Sequence, residues 1–299
     1  MIYYLLLLVS SSFLLSMEPE PKVFDNTAII LPAFTNNDRA LSITTSPDGE
    51  KILVGSGEKA HTLKLYDVTK MKEVGQYASL KNITRINAIS CTTDQDHLWR
   101  VAVGDHDATI IDIRSGKQEL IVDGSHRPLY KLTLTGDQLS AFSEDGKRSK
   151  WDLRKPEAPC IVEDLPYSSL YGCDYHENKG WVVGRSTSTS PVTSTITRYA
   201  PTNESIRKEL EGPVYTVAFS KKGPLVAAAV SLFSTTPADN RGKKIFKSVP
   251  QIILYKTSDL SEIQSLTSAD RIDSITFAPK LAYLAAASYD GTVCMWKKK

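Results

Sequence analysis

Apolar and polar residues alternate in short runs along most of the chain, as in TIIDI (109–113) and SITF (274–277). Side chains spaced two apart fall on one face of an extended strand, so each run predicts a strand with one buried face. No window of 11 residues or more carries apolar positions at the three-to-four spacing of a helix. Clusters of Gly, Pro, Asp and Ser punctuate the runs where turns belong. The pattern predicts an all-β chain.

The runs repeat as a unit. Its first copy is ALSITTSPDGEKILVGSGEKAHTLKLYDV (40–68) and its second RINAISCTTDQDHLWRVAVGDHDATIIDI (85–113). The third is LYKLTLTGDQLSAFSEDGKRSKWDL (129–153). A fourth runs from SLYGCDYHENKGWVVGRS to TITRYA, ending at residue 200, and a fifth from VYTVAFSKKGPLVAAAVS to QIILYKTSDL, ending at 260. The last, RIDSITFAPKLAYLAAASYDGTVCMW, reaches Trp296. Copies recur about every 44 residues, with one longer interval of about 58 before the last.

Each copy supplies three strands, and the segments EVGQYASL, QELIVD, PCIVEDL, SIRKEL and EIQSLT supply a fourth. A lone four-stranded sheet leaves an apolar face wet and its edges open, whereas sheets set radially bury those faces on their neighbours. The small residues of VAVG, AAAV and LAAAS suit the crowded space between such sheets. The last copy lacks its outer strand, and TAIILPAF (27–34) is the unassigned run that can complete it. The expectation is a single β-propeller of four-stranded blades closed by an N-terminal strand. Six blades fit the repeats, with seven if one divergent unit is hidden.

The N-terminal residues 2–16, IYYLLLLVSSSFLLS, carry no charge and suit a signal-peptide core, being too short and Ser-rich for a membrane span. Residues 1–16 therefore read as a signal peptide, 17–26 as a short linker and 27–299 as the ring, giving a secreted or periplasmic protein. Translation from Met17 would instead leave a cytoplasmic one. A net charge of +2 over 70 charged side chains gives no strong attraction to nucleic acid or anionic lipid. Four dispersed cysteines make no disulfide framework. Cys91, Cys173 and Cys294 lie in strand-like runs and read as buried thiols, and Cys160 with Cys173 is the one pair close enough in sequence to bridge in an oxidising compartment.

Trp151-Asp152 at the end of its strand, Tyr66-Asp67 and Trp296 at the matching places, and turn aspartates Asp107, Asp145 and Asp290 give the chain its family character. Over 27–299 it resembles the WD-repeat family, most clearly in blades three and six. Blades four and five put Tyr199 and Tyr255 where the family has Trp. The resemblance implies that His126, Asp145 and Trp151 join a buried hydrogen-bond network in blade three, with Asp290 and Trp296 at the corresponding positions of blade six.

Searches for chemistry find little. GxSxG, HExxH, GxxxxGK[ST] and the dinucleotide-binding glycine pattern are all missing. Asp105-His106-Asp107 falls in a turn, where polar residues are expected without a metal. Asn82-Ile83-Thr84 and Asn203-Glu204-Ser205 match glycosylation sequons.

Two connections are unusually long: RSTSTSPVTST (185–195) in blade four and FSTTPADNRGKKIFKS (233–248) in blade five. The second sets Arg241, Lys243, Lys244 and Lys247 around Phe246, a candidate grip for an acidic partner, although the sequence favours the plainer reading of an insertion tolerated at the surface. These features favour a non-catalytic, monomeric scaffold for a protein or peptide partner, with no cofactor, metal, nucleic acid or transmembrane span. The alternative is a propeller enzyme, or a glycan- or small-molecule-binding protein, with a loop-built site near the central channel.

Overall fold

The computed structural model describes residues 24–34, 38–57, 62–77, 86–93, 99–104, 106–112, 118–122, 128–155, 157–158, 160–165, 172–176, 178–186, 193–202, 204–236 and 245–299. Residues 1–16, His126, Asn82, Asn203, Arg241, Lys243 and Lys244 lie outside them.

After a short strand β1 (Ile29–Pro32), blade one comprises β2 (Ala40–Thr45), β3 (Lys51–Ser56), β4 (Leu63–Asp67) and β5 (Lys72–Tyr77). Blade two comprises β6 (Ala88–Thr93), β7 (Trp99–Gly104), β8 (Ala108–Asp112) and β9 (Gln118–Val122). Blade three holds β10 (Leu129–Thr135), β11 (Gln138–Ser143), β12 (Lys147–Asp152) and β13 (Ile161–Asp164). Blade four holds β14 (Gly172–His176), β15 (Gly180–Ser186), β16 (Thr193–Tyr199) and β17 (Ser205–Glu211). Blade five has β18 (Val214–Phe219), β19 (Leu225–Thr236), β20 (Ile245–Lys256) and β21 (Glu262–Thr267). Blade six has β22 (Ile272–Phe277), β23 (Tyr283–Ser288) and β24 (Thr292–Lys297), and β1 completes it.

Among the described residues these form six antiparallel four-stranded sheets, each a meander in chain order except the last. There β1 pairs with β24 in the register Ile29↔Met295, Ile30↔Cys294, Leu31↔Val293 and Pro32↔Thr292. The ring is closed by its own N-terminal strand, as the unassigned run TAIILPAF predicts. Closure starts earlier in the chain than expected. Phe24, inside the stretch expected to be linker, is fully buried, bridges to Lys298 and packs on Phe277 with ring centroids 6.3 Å apart. Gln264 of β21 receives the Phe24 N–H at 3.1 Å and donates back to its carbonyl at 2.8 Å. The leader thus spans from blade six to the outer strand of blade five.

Packing between blades follows one rule. The third strand of each blade sets a large side chain against the preceding blade. Trp151 joins Ala88, Ala102 and Ile110 of blade two, and Trp296 joins Ala227 and Leu254 of blade five. Tyr255 packs with Val182 and Ile196 of blade four, and Tyr66 closes the circle on Ala285 and Met295 of blade six. Opposite these sit the small residues. A Cβ on Gly55 would lie 2.4 Å from Ile86 Cγ2, and one on Gly172 would lie 2.6 Å from the Thr216 backbone. Glycine is required at both places because the next blade occupies the space.

Polar side chains on the inner strands stitch neighbours together around the channel. Ser90 Oγ accepts the Leu134 N–H at 2.9 Å, and Asp174 Oδ2 accepts the Phe219 N–H at 2.8 Å. Ser274 Oγ accepts the Ile43 N–H at 3.3 Å. These bonds cross from one blade to the next and satisfy inner-strand amides that the blade's own ladder leaves open.

Candidate partner-binding surface

The six inner strands run in one direction around the axis and enclose a cavity of about 560 Å³. Ile43, Ile89, Leu132, Ile275 and Phe277 contribute its apolar wall. Asp174 is the only carboxylate among its lining residues. It is buried, accepts the N–H groups of Tyr175 at 3.0 Å and Phe219 at 2.8 Å, and pairs with Lys131 at 3.1 Å. Its acceptor capacity is used in joining blades three, four and five. Arg148 lies over Phe142, Tyr175 and Trp181 at 5.5, 5.3 and 5.8 Å from their centroids, so its guanidinium is held by aromatic faces. Among the described residues that line the cavity there is no second carboxylate, and His176 is the one imidazole. Among the described residues no three His, Cys, Asp or Glu side chains converge as metal ligands, and no helix is long and apolar enough to cross a membrane.

The face where the inner strands begin carries a different arrangement. Tyr289, in the turn between β23 and β24, is sandwiched by Arg39 at 4.1 Å and Arg271 at 4.3 Å from its ring centroid. Arg271 also lies 5.1 Å from the Tyr215 ring. Asp273 anchors it through bonds of 2.7 and 3.2 Å, so the guanidinium plane is fixed. Burial raises the Asp273 pKa against the pull of this partner. The resulting row of half-buried Arg and Tyr side chains crosses the junctions of blades five, six and one. Individual motifs did not single it out, although Arg39 and Arg271 hold the same place in RALSIT and RIDSIT, which is the signal that identifies them.

The same face bears the most divergent element. Of residues 233–248, expected to be a loop, the two ends, 233–236 and 245–248, belong to β19 and β20, which run 12 residues each. Their pairing continues from Ser231↔Pro250 through Thr236↔Ile245. Pairing of β19 with β18 ends at Val230, and that of β20 with β21 ends at Gln251. Beyond those rungs the hairpin is a two-stranded ribbon projecting past its own blade. Phe246 pairs across from Thr235 and Lys247 from Ser234. In blade four, β15 ends at Ser186 and β16 begins at Thr193, so the other long connection is shorter than expected, and residues 187–192 lie outside the described set.

The other sequence-derived positions fall within the blades. Trp151 is buried between blades two and three, and Trp296 between blades five and six. Asp145 and Asp290 are exposed and bond inside their own turns: Asp145 accepts from Ser143 Oγ at 2.5 Å, and Asp290 from the Thr292 amide at 2.9 Å and hydroxyl at 2.6 Å. Each precedes a glycine at positive φ, Gly146 at 78° and Gly291 at 85°, where an L side chain is disfavoured. Trp296 Nε1 has no hydrogen-bond partner among the described residues. His106 is exposed and Asp107 half-buried, while Asp105 lies outside the described residues. The four cysteines are free, with Cys160 half-buried, and burial pushes the Cys91 and Cys173 thiols up to about 12.

Six four-stranded blades, third-strand aromatics packed on the blade before, and closure by the N-terminal strand define a WD-repeat-type β-propeller. Its last blade carries the family's sequence signature: residues 260–297 match the family model described as "WD domain, G-beta repeat". No curated protein matches the chain in sequence. Solved structures similar to it include "Structure of U3-55K", with a TM-score of 0.66 and 11% identity over 90% of this chain and 98% of that one. "Crystal structure of RRP9 WD40 repeats" gives a TM-score of 0.66 and 11% identity over 90% and 97%. A chain of "Crystal Structure of Mitotic Checkpoint Complex" gives 0.53 and 18% over 88% and 76%. At these identities the likeness is one of fold.

Proposed function

We propose that this propeller is a non-catalytic scaffold that holds a protein or peptide partner on the face where its inner strands begin. WD-repeat propellers commonly act as interaction scaffolds, and one similar chain was solved within a checkpoint complex. The observation that carries the reading for this chain is the ribbon of β19 and β20. An isolated two-stranded ribbon is marginally stable in water, and both of its edges present unpaired backbone groups to an incoming strand. The basic residues Arg241, Lys243, Lys244 and Lys247, with Phe246 among them in sequence, would select an acidic segment and anchor it with one apolar contact. The Arg39–Tyr289–Arg271–Tyr215 row supplies a second contact zone on the same face, with residue types enriched at binding hot spots.

A catalytic or small-molecule site in the channel finds less support, because Asp174 is committed to three donors and stands alone as a carboxylate.

Affinity capture with the four cations Arg241, Lys243, Lys244 and Lys247 changed to Glu tests the reading. The reversed protein should lose partners that the wild type retains, while its melting temperature stays the same. An unchanged set of captured proteins would exclude the ribbon as the docking arm.

A further inference from the structure

At the opposite ends of the strands, a second opening lies between blades four and five. This cleft has a volume of about 420 Å³ and is lined by His176, Lys179, Arg198, Lys221, Lys222 and Thr257, among others, with no carboxylate among the described residues of its wall. Two of these groups are already engaged. Lys179 Nζ donates to the carbonyls of Ser220 and Gly223 and straps the two blades together. His176 Nδ1 accepts the Asn178 N–H at 3.2 Å, which leaves Nε2 to donate to the Lys221 carbonyl 2.9 Å away.

Two other lining residues carry polar atoms without a partner among the described residues. Arg198 Nε and the Thr257 hydroxyl are buried polar atoms without a hydrogen bond among the described residues, and both line this cleft. Thr257 is only 7% exposed. A folded chain seldom leaves two such groups unsatisfied around one cleft unless something else fills the space. Arg198, Lys221 and Lys222 form no ion pair among the described residues. Burial lowers the Lys221 pKa and the nearby Lys131 adds to it, while Asp174 pulls the other way.

We infer that the cleft between blades four and five binds a phosphoryl group. The Arg198 guanidinium and the Thr257 hydroxyl act as directional donors, and Lys221 and Lys222 as the balancing charges. A carboxylate would offset one of these three cations, whereas a phosphate monoester brings close to two negative charges and three acceptor oxygens. The cleft is larger than the bare ion, and His176, Asn178 and Lys221 line both it and the channel cavity. That continuity points to a phosphorylated side chain whose flanking peptide follows the channel mouth, an assignment that rests on reading the ring as a partner binder.

Calorimetric titration of the full chain in phosphate-free buffer tests the site with three probes: inorganic phosphate, the capped tripeptide Gly-phosphoserine-Gly, and its unphosphorylated form. The phosphorylated tripeptide should bind, and the unphosphorylated one should not. Arg198→Gln and Lys222→Gln should each weaken binding about tenfold, while Lys155→Gln on blade three leaves it unchanged, with thermal melts confirming that every variant folds. Equal affinity for inorganic phosphate supports the same site with the free ion as ligand. Phosphorylated and unphosphorylated tripeptides binding alike, no saturable binding of any probe, or full affinity in the Arg198 and Lys222 variants would overturn it. Phosphoryl binding that persists when ribbon-dependent capture fails would fault the scaffold reading alone, and the converse would fault only the cleft.

Discussion

Trp151 shows how one side chain serves two blades. It is placed by its own strand but buried by the blade before it, among Ala88, Ala102 and Ile110. Its removal opens a cavity between rigid sheets that collapse poorly, so Trp151→Ala should cost about 3–5 kcal/mol, read as a lower urea midpoint. A midpoint equal to that of the wild type would contradict the packing. Lys221 supplies a prediction of the opposite sign. Its folded pKa is lowered, first by burial and then by Lys131, so the unfolded chain binds the proton more tightly. The cost is fully present below the lowered value, where the amine is charged in both states, and it fades as the pH rises through that value into the ordinary lysine range. Without a bound anion, Lys221→Gln should raise the melting temperature by about 1–2 °C at neutral pH. The gain should shrink toward about pH 10.5, and a gain that grows with pH would refute this reasoning.

Elements were legible wherever alternation and turn residues agreed. The inner strands, the outer strands such as SIRKEL and EIQSLT, and the closing run TAIILPAF all satisfy both tests. The ribbon does not. FSTTPADNRGKKIFKS is rich in turn formers, and nothing local shows that Phe233–Thr236 extends the strand begun at Leu225 or that Ile245–Ser248 opens the strand that ends at Lys256. Phe24 was missed for a simpler reason, since one aromatic residue in a polar stretch has no period. Because it plugs the groove between blades five and six, removing residues 18–38 takes away both β1 and this plug. Such a truncation should strongly lower the melting temperature, and one that melts like the full chain would refute closure by the leader.

At the scale of the molecule, function-bearing surfaces come from turns far apart in sequence. The cleft takes Lys179 from one blade, Lys221 and Lys222 from the next, and Thr257 from a different turn of that second blade. Only the ring's geometry brings them together, so no linear pattern could have shown them. The Arg–Tyr row is an intermediate case. Its arginines recur at one repeat position, but their convergence on Tyr289 depends on blades six and one meeting.

The pairing of residues 29–32 with 292–295 also governs how this chain can be made. A ribosome releases the N-terminal segment long before its partner strand exists, so that segment has to wait through the synthesis of nearly every other blade. During that time the first blade offers an unsealed flank to passing chains. Contacts between such distant parts of a sequence form slowly because the long loop between them must first be closed. Maturation should therefore be gated by emergence of β24, and a nascent chain stalled short of Thr292 should stay sensitive to protease and bound to chaperones however many of its earlier sheets have already folded.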